Sequence, residues 1–430
     1  MYFKIKILYF LLNLKLNKWF NRNALIKLQE KRLKYFLRSL VRSPYYKPFC
    51  SDEPELKDFP ITNKSVFMEN FTQINTCNIS LNNAMEVATQ AEINRNFNPM
   101  VGKFTVGLST GTCGNRGIFL ASENERAKWV AGILDRVIGF SLKKRKIAFF
   151  LRANSNLYQS VNSRLLKFYF FDILKQSSEH FERLSKINPQ ILVAQPSMLS
   201  ILAEAKEKRL LHISPEKIIS VAEVLTDEDK KYISKVFNQI VHQVYQCTEG
   251  FLASTCKNGT LHFNEDYLII EKKYIDHESK RFHPIITDLL RTTQPVVRYE
   301  LNDIITEKTN CPCGSKMMAI EQIEGRSDDI LTFTDRSNHT IRLFPDAFRR
   351  AIVLSDETII DYAVIQTAEN SISLYINGTH SSSFHNAEES LMKLFADHNI
   401  DSVQINKSEK NPHVSGEKKR RIKNEYRKAN

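Results

Sequence analysis

The chain has 430 residues, 42% of them hydrophobic and 10% aromatic, enough to bury one large core and a smaller second domain, which excludes disordered and fibrous classes. Its formal net charge of +13 suits anionic partners in general, whether ATP, CoA, nucleic acid or an acidic membrane surface, and equally a solvated basic face. Seven cysteines, an odd number, argue against a disulfide framework and for a reducing, cytoplasmic setting.

At the N-terminus, Lys4 and Lys6 precede the apolar run Ile7 to Leu12. Asn13 and Lys15 interrupt the run and no small-residue cleavage site follows, so it reads neither as a secretory signal nor as a membrane span. Any membrane contact here is peripheral, and the competing reading is a helix packed on the main domain. Leu33, Phe36, Leu37 and Leu40 then recur at helical spacing until Ser43-Pro44 stops them.

Leu108 to Gly117 packs hydroxyls and glycines into one flexible loop, with Ser109, Thr110, Gly111, Thr112, Gly114 and Gly117 as its key positions. Backbone N–H groups of such a loop can wrap phosphate oxygens. It is not the common P-loop, because Ile118-Phe119-Leu120-Ala121 reads as a strand and the helix begins only at the capping box Ser122-Glu123-Asn124-Glu125. Trp129, Val130, Ile133, Leu134 and Val137 continue that helix. The run Phe149 to Tyr158 follows, rich in polar and aromatic side chains; Arg152 could pair with a carboxylate there, and a plain surface loop is the alternative.

From Phe181 to Glu249 strand and helix patterns alternate: strand at Ile191–Ala194, helix from Pro196 to Arg209, strand at Ile218–Ala222, helix from Thr226 to Phe237, strand from Ile240 to Gln246. Alternation of this kind predicts crossover units and a parallel sheet covered by helices, with ligands at the carboxyl ends of the strands. Ala222, Glu223 and Tyr245 to Glu249 fall at such ends.

Further on, Cys256 and His262 flank an Asn258-Gly259 hairpin signal, and Cys311-Pro312-Cys313-Gly314 forms a tight turn. These ligand types suit a tetrahedral Cys3His zinc, although the C-x-C spacing departs from the usual C-x2-C, and four unrelated residues are the competing reading. After Asp328 the pattern becomes a short strand, a helix near Phe348, two strands, and a helix near Leu391, a small α+β domain ending in a basic tail.

Arg42-Ser43-Pro44-Tyr45-Tyr46, the Ser-Thr-Gly loop, Tyr245-Gln246-Cys247-Thr248-Glu249-Gly250, Arg298 to Asp303, Cys311 to Gly314, Gly325-Arg326-Ser327-Asp328-Asp329 and the Gly416-Glu417-Lys418-Lys419 tail occur in one order. Together they resemble the adenylate-forming enzymes, most closely the phenylacetate-CoA ligase-like branch and, within it, a group related to deazaflavin-modifying enzymes. The resemblance spans nearly the whole chain. It implies an α/β fold with a large AMP-binding domain over residues 1–325, built of parallel sheets covered by helices, and a small mobile α+β lid over 326–430 that rotates about the Gly325-Arg326 hinge.

The resemblance also implies roles. Loop Ser109 to Gly117 would hold the β- and γ-phosphates of ATP, Thr248 the α-phosphate and Glu249 Mg2+. Tyr245 would face adenine with Ala222 and Glu223 beside it, Asp303 would accept from the ribose hydroxyls with Arg326 nearby, and Lys418 would enter from the lid to stabilise the adenylation transition state. A one-residue ambiguity leaves Lys419 as the alternative. Related ligases carry zinc in the region of Cys256, His262, Cys311 and Cys313, where four protein ligands would make it structural. Three departures stand out: Arg116 where many relatives carry Lys, Cys113 for a common Thr, and Gln246 for the usual Gly, the last making simple phenylacetate a doubtful substrate.

The implied activity is conversion of a carboxylic acid to an acyl-AMP with release of pyrophosphate, then transfer to CoA or a carrier thiol. Transfer of AMP to an acceptor hydroxyl is the second reading. A zinc-stabilised nucleic-acid-binding protein is the third; it lacks the interleaved aromatic and basic positions of a known reader, so no nucleic-acid partner is expected. The oligomeric state stays open, a dimer included.

Overall fold

The computed structural model describes residues 2–16, 21–94, 96, 98–109, 116–139, 143–151, 165–173, 175–326, 329–337, 339–400, 402–413 and 419–426. The chain divides into two compact units, Met1–Leu301 with Glu307–Glu321, and Asn302–Thr306 with Gln322–Asn430. Strands Asp303–Lys308 and Ala319–Arg326 therefore have residues in both.

The first unit is organised by one large sheet. Five parallel strands lie in the order Leu166–Asp172, Arg145–Leu151, Ile191–Ala194, Lys217–Val221, Val241–Cys247. Helices Ser178–Ile187, Pro196–Glu207 and Asp227–Phe237 supply the crossovers that parallel pairing requires. Leu184, Leu199, Leu202 and Ile233 bury their side chains against Phe150, Phe171, Leu192 and Ile218. Capping follows the sequence: Pro196 opens its helix, and Thr226 accepts from the Asp229 N–H at 3.1 Å.

The sheet is mixed rather than parallel throughout. Beyond Val241–Cys247 the strands Gly250–Thr255, Leu261–Phe263 and Ala319–Arg326 pair antiparallel, because tight turns, not helices, join the first of them. The Lys257-Asn258-Gly259-Thr260 turn has Gly259 at φ +78°, as the Asn-Gly signal predicts. A separate three-stranded sheet, Met100–Val101, Phe104–Leu108 and Ile118–Ala121, carries the Ser-Thr-Gly loop between its last two strands. At Gly107 a Cβ would meet Phe119 Cε1 at 2.2 Å, so any larger residue there would have to displace that ring.

Helix Tyr2–Leu16 packs Ile7, with Phe3, Phe10, Leu11 and Leu14, on Ala127, Val130 and Ala131 of helix Glu123–Ile133. Helix Arg22–Ser39 buries Leu25, Phe36 and Leu37. No helix among the described residues is long and apolar enough to cross a membrane.

The second unit packs helices Pro345–Ser355 and Ser383–Asp397 on a four-stranded sheet ordered Gln404–Lys407, Ser371–Gly378, Ile359–Ala368, Ile422–Asn424. Phe333, Phe348 and Phe395 meet at its centre with ring centroids 5.0 to 6.2 Å apart.

Candidate functional site

Residues just past adjacent parallel strands converge at one sheet edge. Ala222, after Lys217–Val221, takes φ +69°, a left-handed conformation uncommon for a side chain with a Cβ. The carboxylate of Glu223 accepts from Ser197 Oγ at 3.1 Å and from the Ser197 N–H at 3.3 Å, which caps the first turn of Pro196–Glu207. Tyr245 is half-buried against the core that contains Ile219, Phe251 and Tyr299, and a register shift between Tyr245 and Gln246 leaves Gln246 exposed.

Thr248 and Glu249 occupy the turn after the last parallel strand. Thr248 Oγ1 donates to Glu249 Oε2 at 2.9 Å, and Tyr299 Oη donates to Glu249 Oε1 at 2.9 Å. The Tyr299 ring is held edge-on by Phe67, 5.4 Å between centroids. Arg291 Nη1 donates to the Thr248 carbonyl at 2.6 Å and its Nη2 to Gln294 Oε1 at 2.9 Å. Gln294 in turn receives the Leu120 N–H at 2.9 Å, so one guanidinium and one amide join the Thr-Glu turn to the strand that follows the glycine loop.

The loop's base is closed. Ser109 and Gly117 exchange backbone contact, Ser109 N–H to Gly117 O at 2.7 Å, and the Gly117 N–H also donates to Ser109 Oγ at 2.7 Å. A Cβ at Gly117 would stand 3.4 Å from Thr248 Oγ1 and 3.8 Å from Lys64 Cε. The stem, the Thr-Glu turn and Lys64 thus line one small cleft with Phe67, Arg291 and Tyr299. Arg116 does not point into it: its guanidinium forks onto Glu92 at 2.6 and 2.8 Å. Thr110, Gly111, Thr112, Cys113 and Gly114, and Arg152 to Tyr158 in the polar run, lie outside the described residues.

Buried carboxylates support this cleft from behind. Glu125 accepts from the Thr292 N–H at 2.6 Å, the Thr293 N–H at 2.8 Å and the Ser122 N–H at 2.7 Å. Burial alone would raise its pKa, but these hydrogen bonds outweigh it and hold the carboxyl below its usual range. Asp288, 3.1 Å from the Cβ position of Gly250, is pushed up to about 6 by burial, against Arg291 and the Leu290 N–H.

In the second unit Asp303 begins the strand Asp303–Lys308, and Arg326 ends Ala319–Arg326, its side chain outside the described residues. Gly325 takes φ +140°, accessible without strain only to glycine. Lys418 is outside the described residues; Lys419 pairs with Asp361 at 2.7 Å, within its own unit.

The four Cys/His candidates do come together. Sγ of Cys256, Cys311 and Cys313 and a ring nitrogen of His262 all lie within 4.8 Å of one another. Cys256 Sγ stands 3.8 Å from Cys311 Sγ, and Cys313 Sγ 3.4 Å from His262 Nε2. A tetrahedral zinc with bonds of about 2.3 Å to sulfur and 2.0–2.1 Å to nitrogen requires S···S near ~3.8 Å and S···N near ~3.5 Å. His262 Nδ1 is 3.0 Å from the Met317 carbonyl, which can only accept; Nδ1 therefore carries the proton and Nε2 its lone pair toward the sulfurs. Against the raising effect of burial, the Cys313 N–H and neighbouring Thr260, His262 and Cys313 side chains bring Cys311 down to about 6, while burial pushes Cys313 up to about 11.

Sequence reasoning missed Lys64, Tyr299 and Arg291. Tyr299 falls in a quoted motif with no role assigned, and Lys64 sits behind the helix-start signal Asn63, whose side chain accepts from the Val66 N–H. Neither carries a local pattern that points to a nucleotide.

A large mixed sheet with helical crossovers and a smaller α+β unit, Asn302–Thr306 with Gln322–Asn430, make the fold of the adenylate-forming ligases, and the chain has that fold. No family model matches the chain. Protein CapK of Staphylococcus aureus is 26% identical over 239 residues, 54% of this chain and 51% of that protein. Indoleacetate–lysine synthetase of Pseudomonas savastanoi is 30% identical over 138 residues, 31% and 34% of the two chains. The chain thus spans about half, or less, of the length of these curated relatives. The crystal structure of 2-hydroxyisobutyryl-CoA ligase in the postadenylation state in complex with 2-HIB-AMP matches with a TM-score of 0.67 at 14% identity, over 93% of this chain and 88% of that one.

Proposed function

We propose that the protein activates a carboxylic acid with ATP to give an acyl-adenylate and pyrophosphate, and then transfers the acyl group to CoA or another thiol. The observation that carries this reading is the Glu249 carboxylate, held by Thr248 and Tyr299 beside the Ser109–Gly117 stem and Lys64. Phosphates are anchored in such a cleft by backbone N–H groups, a hydroxyl and a cation.

In this reading the loop through Thr110, Gly111, Thr112 and Gly114 takes the β- and γ-phosphates, with Lys64 as an additional cation. Thr248 takes the α-phosphate, and Glu249 would hold Mg2+, a hard cation suited to carboxylate oxygen, which when bound supplies charge neutralisation. Tyr245 stacks on adenine near Ala222, with Glu223 one residue on; Asp303 accepts from the ribose hydroxyls, with Arg326 beside it. The substrate carboxylate oxygen attacks the α-phosphorus, and the bond to the bridging oxygen of pyrophosphate breaks. The chain's work is to hold these partners in line and neutralise their charge. Lys418 stabilises that transition state; the Lys419–Asp361 pair supports giving the role to Lys418.

Cys256, His262, Cys311 and Cys313 fit a zinc ion whose role is to cross-link a hairpin to the Cys-Pro-Cys turn, four protein ligands leaving no open position for chemistry. Assignment to the phenylacetate-CoA ligase-like branch rests on the ordered motifs. A second reading of the acceptor, an amine, is favoured by the likeness to indoleacetate–lysine synthetase.

ATP–pyrophosphate exchange across a panel of aryl, fatty and hydroxy acids tests the first half-reaction without knowledge of the acceptor. Exchange dependent on one acid supports it. ATP binding with no exchange would favour transfer of AMP to a hydroxyl, and absence of ATP binding overturns the proposal.

A further inference from the structure

Helix Tyr2–Leu16 is apolar on both faces. Ile7, with Phe3, Phe10, Leu11 and Leu14, packs inward, and Lys6 pairs with Glu123 at 2.8 Å. The opposite face presents Tyr2, Ile5, Leu8, Tyr9 and Leu12, each 51% to 70% exposed. At 100° per residue these five form one stripe, with Lys4 and Lys15 along its flank. A contiguous apolar stripe of this kind is not how a soluble surface is ordinarily composed.

Charge is concentrated in the same stretch of sequence. Residues 1–47 hold twelve Lys and Arg against a single Glu, eleven of the chain's thirteen net positive charges. On helix Arg22–Ser39, Lys27, Lys31, Lys34 and Arg38 recur at helical spacing, all exposed, with no acidic partner among the described residues. Tyr35 stands beside them at 80% exposure.

From these two observations we infer that the N-terminal helices dock the protein on an anionic lipid bilayer, the Tyr2-Ile5-Leu8-Tyr9-Leu12 stripe entering the headgroup boundary while the Lys27-Lys31-Lys34-Arg38 row faces lipid phosphates. Interfacial helices combine these elements, apolar insertion and basic attraction, with tyrosines at the boundary. A second copy is disfavoured, because an isologous contact would bring this dense positive charge against itself. Nucleic acid would answer the charge and leave five apolar side chains with no partner.

The test is co-sedimentation of the full chain with phosphatidylcholine vesicles, with and without phosphatidylglycerol. Binding should require phosphatidylglycerol and weaken with salt. Replacing Lys27, Lys31 and Lys34 with Gln should lower partitioning on the order of a hundredfold. Leu8→Glu with Leu12→Glu, at exposed positions outside the core, should abolish binding with an unchanged melting temperature, and Leu8→Trp should shift its fluorescence to the blue on anionic vesicles. No binding to anionic vesicles at low ionic strength overturns the inference. So does an unaffected double-Glu variant, a double-Glu variant that only converts a dimer to monomer, or lysine-dependent binding of polynucleotide without vesicle binding.

Discussion

Tyr299→Phe isolates one hydrogen bond in the proposed nucleotide site. The ring remains, still edge-on to Phe67, and the Oη donor to Glu249 Oε1 at 2.9 Å is lost. Hydrogen bonds to a charged group contribute about 1.5–3 kcal/mol, and here the carboxylate loses the donor at Oε1 while Oε2 keeps Thr248. If the carboxylate holds the magnesium of Mg·ATP, the loss should appear as roughly a ten- to hundredfold weaker affinity for Mg·ATP. Calorimetric titration with ATP, in magnesium and in EDTA, measures it. The reasoning requires the defect to be large with magnesium and small without it. Wild-type affinity for Mg·ATP in the variant would refute the positioning role, and an equal defect in both buffers would mean Tyr299 touches the nucleotide rather than acting through Glu249.

Glu249→Gln should abolish acid-dependent ATP–pyrophosphate exchange while far-UV circular dichroism stays that of the parent; full activity in the folded variant would exclude a metal-binding role. Purified protein should contain one zinc per chain by elemental analysis, and Cys313→Ser should lose most of it together with a fall in melting temperature of several degrees; a parent protein free of stoichiometric zinc would remove the site. Burial, then Lys217 and Lys230, lowers His242 to about 4, so the neutral ring is favoured in the fold. That contribution is present above the unfolded value near ~6.5 and is lost as pH falls through the folded value, so His242→Asn should lose less stability on acidification across this window. Superimposable melting-versus-pH curves would contradict the assignment.

Much of the fold was legible because its signals are local. Three of the five parallel strands, Ile191–Ala194, Lys217–Val221 and Val241–Cys247, the caps at Pro196 and Thr226, and the Asn-Gly hairpin were each read within a residue or two of where they lie; Arg145–Leu151, whose end falls in a run read as a loop, and Leu166–Asp172 were not read as strands. The change to antiparallel pairing after Val241–Cys247 was not, since pairing direction depends on how strands are connected in space and leaves little trace in composition. The zinc candidates were legible as residue types; their convergence depends on the sheet placing Leu261–Phe263 beside Ala319–Arg326. Arg116 was noted only as a cation where many relatives carry Lys, and tertiary structure pairs it with Glu92.

Glu125 shows why the remainder could not be read. In sequence it completes a capping box with Ser122, and in the structure it does so, but the same carboxylate also accepts from the backbone of Thr292 and Thr293. A residue placed by helix grammar therefore fixes a segment 167 positions away. That segment supplies Arg291 to the Thr248 carbonyl and Gln294 to Leu120, and leads on to Tyr299 and its bond to Glu249. Glu125, Thr293 and Gln294 are buried and would be costly without their partners, so these contacts reinforce the partly buried ones around Thr248 and Glu249. The rigidity of the proposed metal-binding carboxylate is thus set by contacts among segments around Ile118–Glu125, Thr248–Gly250 and Asp288–Tyr299. No window of sequence contains all three, and only the folded sheet brings them to one cleft.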